Sequence, residues 1–314
     1  NNPSLSLTLS HAVTHTQMNF RASDSGLIVR YFFDRERNDA FENKVVRYLE
    51  SLYSELPFLQ NLELEFHSSN TFPHSTGIAS SASSMAALAQ CLVYLEQVFT
   101  KSNYSESQQL QRASYLARLG SGSAARSLYR GWVTWGEIEG LANTSNEYAS
   151  PYLGTIAPIF QSMGDAVLIV DSGKKKVSST FGHSLMNAHP FAQARYKQAR
   201  EHLKLLIDAL QQGDFLQFAN IVETEALTLH SLLMTSSVDG LLLKANSLIL
   251  IEAIRKARQD LNLNVCFTID AGPNIHLLYP LSERQQVMHL IERELVPFCE
   301  SGRWIDDSIR QSFE

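Results

Sequence analysis

Pro73-His74-Ser75-Thr76-Gly77-Ile78-Ala79-Ser80-Ser81-Ala82-Ser83-Ser84 is a run of small and turn-forming residues between two quite different patterns. Before it, Leu62, Leu64 and Phe66 alternate with Glu63, Glu65 and His67, the two-residue period of a strand with one wet face. After it, residues 80–100 read as one long helix. Glycine in such a strand–turn–helix passage lets the backbone approach a ligand closely. The free N–H groups and positive dipole end of the following helix then face an anion such as phosphate. Ser80 and Ser81 can cap the helix and also offer hydroxyls to a phosphate. The same residues equally suit a plain Ser-capped helix with a small-residue packing face, and composition does not separate the two readings. No Gly-Lys-Ser/Thr closes the turn, so it is not a Walker A loop, and it is not a Rossmann fingerprint.

Working outward, Leu5, Leu7 and Leu9 alternate with serine and threonine, which predicts a first strand. A bulge or second strand follows through Met18 and Phe20, and Leu27–Phe33 is a third β-rich run. Asn43–Leu56 reads as an amphipathic helix. Downstream of the small-residue turn, a helix over about Glu106–Leu119 ends at Gly120-Ser121-Gly122-Ser123, where a further helix containing Arg126 is expected to begin. A polar segment, Asn143–Gly154, marks a domain boundary. Beyond it come an apolar strand Ala166–Asp171, a lysine-rich turn before Val177, helices near Pro190–Gln212, Asp214–Thr235, Asn246–Leu261 and Ser282–Phe298, and a strand Asn264–Ile269. Strands and helices mix without a regular βαβ cadence, so the expected class is α+β in two domains, 1–155 and 156–314.

The 314 residues carry 26 Lys plus Arg against 32 Asp plus Glu, a net charge of −6, with 44% hydrophobic and 18% charged residues. That mix excludes a disordered chain and argues against a nucleic-acid binder that works through overall basicity. An anionic ligand would need a locally built site. Cys91, Cys266 and Cys299 are odd in number and widely spaced, which points to a reducing compartment rather than a disulfide framework. No stretch reads as a membrane span, and no leader is visible, so the expected location is cytoplasmic.

Two more segments can carry chemistry. In Ser121-Gly122-Ser123-Ala124-Ala125-Arg126-Ser127, an arginine early in a helix gains nothing from the helix dipole, so an anionic partner is the economical explanation; an ordinary surface arginine is the alternative. In Thr268-Ile269-Asp270-Ala271-Gly272-Pro273-Asn274, an apolar strand delivers a carboxylate ahead of a rigid turn. Asp270 is either turn chemistry or a fixed carboxylate facing a cleft. His11 and His15 share a strand face without a visible third ligand, and neither HExxH nor a Gly-x-Ser-x-Gly elbow occurs.

Pro73-x-x-x-Gly77-Ile78-Ala79-Ser80-Ser81-Ala82 resembles the phosphate loop of the GHMP kinase superfamily. With Ser121-Gly122-Ser123-Ala124-Ala125-Arg126-Ser127-Leu128, Asp270-Ala271-Gly272-Pro273-Asn274 and the opening Asn2-Pro3-Ser4-Leu5-Ser6-Leu7-Thr8-Leu9-Ser10, in that family's order, the chain resembles the mevalonate diphosphate decarboxylases. The resemblance implies an N-terminal ATP-binding domain like ribosomal protein S5 domain 2 and a ferredoxin-like C-terminal domain. It implies ATP-dependent conversion of mevalonate 5-diphosphate to isopentenyl diphosphate with Mg²⁺, in a homodimer without nucleic-acid or membrane partners. Gly77, Ala79, Ser80 and Ser81 would hold ATP phosphates; Ser121 and Ser123 would contact substrate; Arg126 would hold the substrate carboxylate; Ser179 would approach the diphosphate; and Asp270 would face the 3-hydroxyl. The ligands of Mg²⁺ stay unassigned. That family carries a Lys-Tyr-Trp-Gly-Lys-type strand ahead of the Ser/Leu strand; this chain begins after it, and the expectation is a missing first strand rather than a protein without one. Arg130 stands where a glycine is common, and Ala125 where cysteine is frequent. A phosphomevalonate decarboxylase, a mevalonate kinase and a catalytically silent homologue are the competing readings. The pairing of Asp270 with Arg126 argues against the kinase.

Overall fold

A computed structural model describes residues 2–72, 80–173, 189–236 and 241–309. They form two compact units. One takes residues 12–72 and 80–151; the other takes residues 2–11 and the described residues from 152 onward. The first strand, β1 (Ser4–Leu7), falls in the second unit, where Leu9 then bridges Ile309 and the carboxylate of buried Asp307 accepts the Ser10 and His11 amides at 3.0 and 2.9 Å.

In the first unit β2 (Thr14–Ala22), β3 (Ile28–Phe33), β4 (Glu36–Arg37) and β5 (Leu62–Asn70) make a sheet of order β2-β5-β3-β4. β2 runs antiparallel to β5, from Thr14 opposite Asn70 to Ala22 opposite Leu62. β3 runs parallel to β5, which requires a crossover, and helix α1 (Asp39–Ser51) supplies it. Asn38 caps α1 through the Phe41 amide, so this helix starts earlier than the apolar period alone suggests. α2 (Ser80–Thr100) and α3 (Glu106–Gly120) pack on the face that carries Leu62, Leu64 and Phe66, with Met85, Leu88, Ala89 and Leu92 buried against it. The opposite face is not uniformly wet. Glu63 is buried there, its carboxylate held by Arg21 at 2.6 Å and Arg30 at 2.5 Å. A reciprocal Ser105–Gln108 capping box starts α3, and the chain beyond it reaches a hairpin of β6 (Trp132–Trp135) and β7 (Ala149–Pro151).

The second unit holds α4 (Pro158–Gln161), β8 (Met163–Leu168), α5 (Ala192–Gln212), α6 (Phe215–Met234), α7 (Ala245–Asp260), β9 (Cys266–Thr268), β10 (Ile275–Pro280), α8 (Arg284–Leu290) and β11 (Trp304–Ser308). Its sheet order is β11-β8-β10-β9, all neighbours antiparallel. Strand–helices–strand–strand–helix–strand in that order is the split βαβ of ferredoxin-like domains, as expected. Ala166, Leu168, Phe267, Leu277 and Tyr279 bury their side chains against Leu250, Ile254, Val287 and Ile291. The helix expected over Ser282–Phe298 is regular only to Leu290; it widens over Ile291–Leu295 and tightens over Val296–Phe298. Pro297 offers no N–H there and its ring crowds the preceding turn.

Gly164 in β8 lies directly opposite Tyr279 in β10. A Cβ on Gly164 would sit 2.3 Å from Tyr279 Cζ, and Tyr279 is fully buried. At an unconstrained strand position alanine is the better residue. Here we predict that Gly164→Ala lowers stability by about 1–3 kcal/mol, the usual cost of overpacking a filled core. Urea unfolding measures it, and an unchanged or raised midpoint would contradict the close approach.

Candidate functional site

The small-residue turn contributes what its described end shows: Gly77 and Ala79 lie outside the described residues, while Ser80 and Ser81 are the first two residues of α2. Lys44, on α1, donates from Nζ to Ser81 Oγ at 2.7 Å. Burial lowers the Lys44 pKa, so the ammonium is kept in a partly desolvated place. A cation beside the N-terminal end of a helix is opposed by the helix dipole. An anion seated there would satisfy ammonium, hydroxyl and dipole together. Thr14 Oγ1 bonds both Asn70 Oδ1 and Ser83 Oγ at 2.7 Å, so the ends of β2 and β5 are tied to the first turn of α2. Sequence reasoning missed Lys44. It lies 37 positions from Ser81, and nothing on α1 signals which face meets α2.

The second segment folds differently from the expectation. Gly122–Leu128 is a 3₁₀ helix, and Arg126 sits in its last turn rather than near the start of an α-helix. A cation there is favoured by the dipole, so the position of Arg126 by itself implies no anionic partner. The cause is visible in the packing. Buried Ser114, on α3, donates to Ala125 O at 2.8 Å and accepts the Ala149 amide at 2.8 Å. That bond engages the Ala125 carbonyl from outside the helix. Gly122 lies under the Trp135 ring, where a Cβ would stand 3.1 Å from Cη2. Ser121 closes α3 by donating its amide to Ala117 O at 2.9 Å and accepts the Ala124 amide at 2.9 Å. Ser121, Ser123 and Arg126 are therefore brought onto one turn, all half-buried.

Asp270 lies just past β9, exposed, between buried Ile269 and the Gly272-Pro273 turn. Side chains from different elements hold this turn. His230 on α6 donates from Nε2 to the Asp270 carbonyl oxygen at 3.0 Å, and the Gly272 amide reaches the same oxygen at 2.7 Å. Ser247, fully buried near the start of α7, donates to Pro273 O at 2.6 Å. Asn274, 3% exposed, accepts the Val170 and Asp171 amides on its Oδ1 at 2.7 and 3.0 Å. His230 is 1% exposed, and burial, the largest effect, lowers its pKa. The sequence named Asp270 but not His230 or Ser247, because a histidine in an apolar helix carries no signal of where it points. Ser179 lies outside the described residues.

Among the described residues no group of three or more His, Cys, Asp or Glu side chains could hold a metal ion. Magnesium commonly takes one or two carboxylates and completes its shell with phosphates and water. A magnesium that enters on a nucleotide needs no cluster of three such side chains. No helix among the described residues is long and apolar enough to cross a membrane.

Comparison with known proteins agrees across both units. A family model described as the diphosphomevalonate decarboxylase-like N-terminal domain matches residues 1–146, and one described as the mevalonate 5-diphosphate decarboxylase C-terminal domain matches residues 166–311. A curated diphosphomevalonate decarboxylase of Gibberella zeae is 30% identical over 236 residues, which is 74% of this chain and 58% of that protein. The chain thus spans about three fifths of that relative's length. The crystal structure of mevalonate diphosphate decarboxylase from Staphylococcus aureus is similar with a TM-score of 0.81 at 26% identity, over 99% of this chain and 88% of that one. The mevalonate diphosphate decarboxylase from Enterococcus faecalis, in a structure of its mevalonate diphosphate mediated ATP binding, shares the fold with a TM-score of 0.80 at 24% identity, over 98% and 88% of the two chains.

A lowered folded-state pKa for His230 has a definite sign. The unfolded histidine, with an ordinary value of 6.5, binds a proton before the folded one does. The stability tied to neutral His230 is therefore present above that value and is lost as pH falls below it toward the lowered folded value. We predict that wild type loses more stability than His230→Gln between about pH 8 and about pH 5, the range in which histidine changes charge. Urea midpoints at the two pH values test this; parallel losses would contradict it.

Proposed function

The chain belongs to the diphosphomevalonate decarboxylase family, and from that premise we propose that it converts mevalonate 5-diphosphate and ATP to isopentenyl diphosphate, ADP, phosphate and carbon dioxide. The observation that carries the reading is the Asp270 turn: a carboxylate at the end of β9, on a backbone pinned by His230, Ser247 and Asn274. The match of both units to this family's two domain descriptions supports it.

In this reading Gly77, Ala79, Ser80 and Ser81 hold the ATP phosphates at the start of α2. Lys44 adds a positive charge beside Ser81. Phosphoryl transfer asks the protein mainly for positioning and charge neutralisation, which this arrangement supplies. Magnesium, bound with the nucleotide, neutralises phosphate charge. Asp270 orients the tertiary 3-hydroxyl of the substrate toward the γ-phosphorus. A carboxylate is a weak base for an alcohol, so it takes the proton as the new O–P bond forms rather than before. ADP leaves, and the 3-phosphate is a far better leaving group than hydroxide. Asp270 releases its proton to solvent, so that when that C–O bond breaks and positive character develops at the tertiary carbon, a carboxylate again faces and stabilises it. The bond to the substrate carboxylate then cleaves, carbon dioxide departs, and its electron pair becomes the new double bond. Arg126 orients that carboxylate in a two-point grip, Ser121 and Ser123 contact the substrate, and Ser179 approaches the diphosphate. A cytoplasmic homodimer belongs to the same reading.

Asp270→Asn keeps the size and turn-forming capacity of the residue but removes its charge. We predict a folded protein that still binds ATP yet loses kcat by a factor on the order of 10² or more, the scale of a lost acid–base group. In parallel, Arg126→Lys should cost at least about tenfold in product formation, or roughly 1.4 kcal/mol, because lysine cannot reproduce a planar two-point grip. Turnover of folded Asp270→Asn within a few-fold of wild type would reduce Asp270 to turn chemistry.

A further inference from the structure

The contact between α6 and the Asp270 turn is more than its surroundings require. Glu223, Ala226, His230 and Leu233 form the buried stripe of α6 in this stretch, and an aliphatic residue at position 230 would serve such a stripe. A buried imidazole is costly unless hydrogen-bonded, and its Nε2 donates to the Asp270 carbonyl oxygen. That oxygen already receives the Gly272 amide at 2.7 Å. The second donor is therefore not needed to satisfy the carbonyl; its effect is to fix the plane of the Asp270 peptide. We propose that His230 is a positioning residue for Asp270, holding the peptide that aims the carboxylate while adding no charge beside it. The inference rests on the role given to Asp270 under the proposed function.

Three features carry the argument. The first is geometry: Ser247 and Asn274 fix the turn from Pro273 onward, and His230 is the side chain that reaches its near end. Without it, residues 270–272 would be held only at their ends, by buried Ile269 after β9 on one side and by the Pro273 and Asn274 contacts beyond a glycine on the other. The second is charge. Lysine or arginine could donate to the same carbonyl, but either would set a full positive charge near the carboxylate. Burial instead keeps the imidazole neutral, so the donor holds the backbone and leaves the carboxylate's charge available to a cation-like centre. The third is scale. A misplacement of about 1 Å at a reacting group can cost on the order of 10² in rate, so one hydrogen bond that restrains a peptide can matter to turnover more than to folding.

The test uses the full-length enzyme with His230→Leu and His230→Gln, the latter because its amide nitrogen is a neutral donor with a reach like that of Nε2. We expect His230→Leu to lower kcat about tenfold with KM for ATP and substrate within about twofold, and His230→Gln to recover to within about threefold of wild type. Amide exchange over residues 270–272 should quicken in His230→Leu and return to the wild-type rate in His230→Gln. If His230→Leu does not fold, His230→Asn replaces it: its shorter side chain falls short of the carbonyl, and it should be impaired where His230→Gln is not. Wild-type kcat in folded His230→Leu, equal impairment of the short or apolar variant and His230→Gln, or a loss confined to KM would each overturn the inference. Asp270→Asn is measured alongside. If it is as active as wild type, the proposed role of Asp270 fails first; if it is inactive while His230→Leu is fully active, the inference about His230 fails alone.

Discussion

The side-chain oxygen of Asn274 accepts the amides of Val170 and Asp171 just where the chain leaves β8. Those residues are about a hundred positions apart, yet this contact joins the exit of one central strand to the entry of the other. β8 and β10 are neighbours in the sheet, with Ile275 opposite Leu168, so the carboxamide closes the end of their ladder. Both amides are only partly shielded from water, so each would lose less than the full cost of an unsatisfied buried donor, and one buried carboxamide satisfies the two together. The turn from Asp270 to Pro273 is thus bounded by β9 on one side and by a fixed residue on the other. What remains free within it is a short span around Gly272, and His230 and Ser247 restrain that span from two helices. In the proposed reaction the carboxylate meets a hydroxyl oxygen in line with a phosphorus, a task that calls for such a frame.

In the other unit the logic is similar, with a hydroxyl as the agent. Ser114 stands between α3, the 3₁₀ turn and β7, donating to one backbone and accepting from another. It sets where Arg126 emerges without touching it through any charge. Each candidate segment is therefore held by neutral, buried donors within its own unit, Ser114 in one and His230 and Ser247 in the other. Lys44 is the exception: its charge is itself part of the phosphate reading.

The sequence carried much of this in its periodicities. The alternation of Leu62, Leu64 and Phe66, the long helix from Ser80 and the Asp214-capped helix α6 were legible because propensity, period and capping residues agreed. β10 and β11 were not, since Ile275–Pro280 is buried on both faces and so lacks alternation. The 3₁₀ form of Gly122–Leu128 was hidden as well, because it depends on Ser114, a residue of the preceding helix. The same limit applied to the site. Motif residues such as Ser81, Arg126 and Asp270 could be named from local pattern. Lys44, His230 and Ser247 could not, because their contacts arise only when helices distant in sequence pack against the turn or helix start they support.

In the proposed reaction one chain carries phosphorylation through to loss of carbon dioxide. The most direct test is product stoichiometry with the full-length enzyme, mevalonate 5-diphosphate and ATP, with ADP, phosphate and carbon dioxide measured separately in the same reaction. The three should appear in equal amounts and at the same steady-state rate. ADP accumulating without phosphate or carbon dioxide would show a kinase that stops at the phosphorylated intermediate and would contradict it.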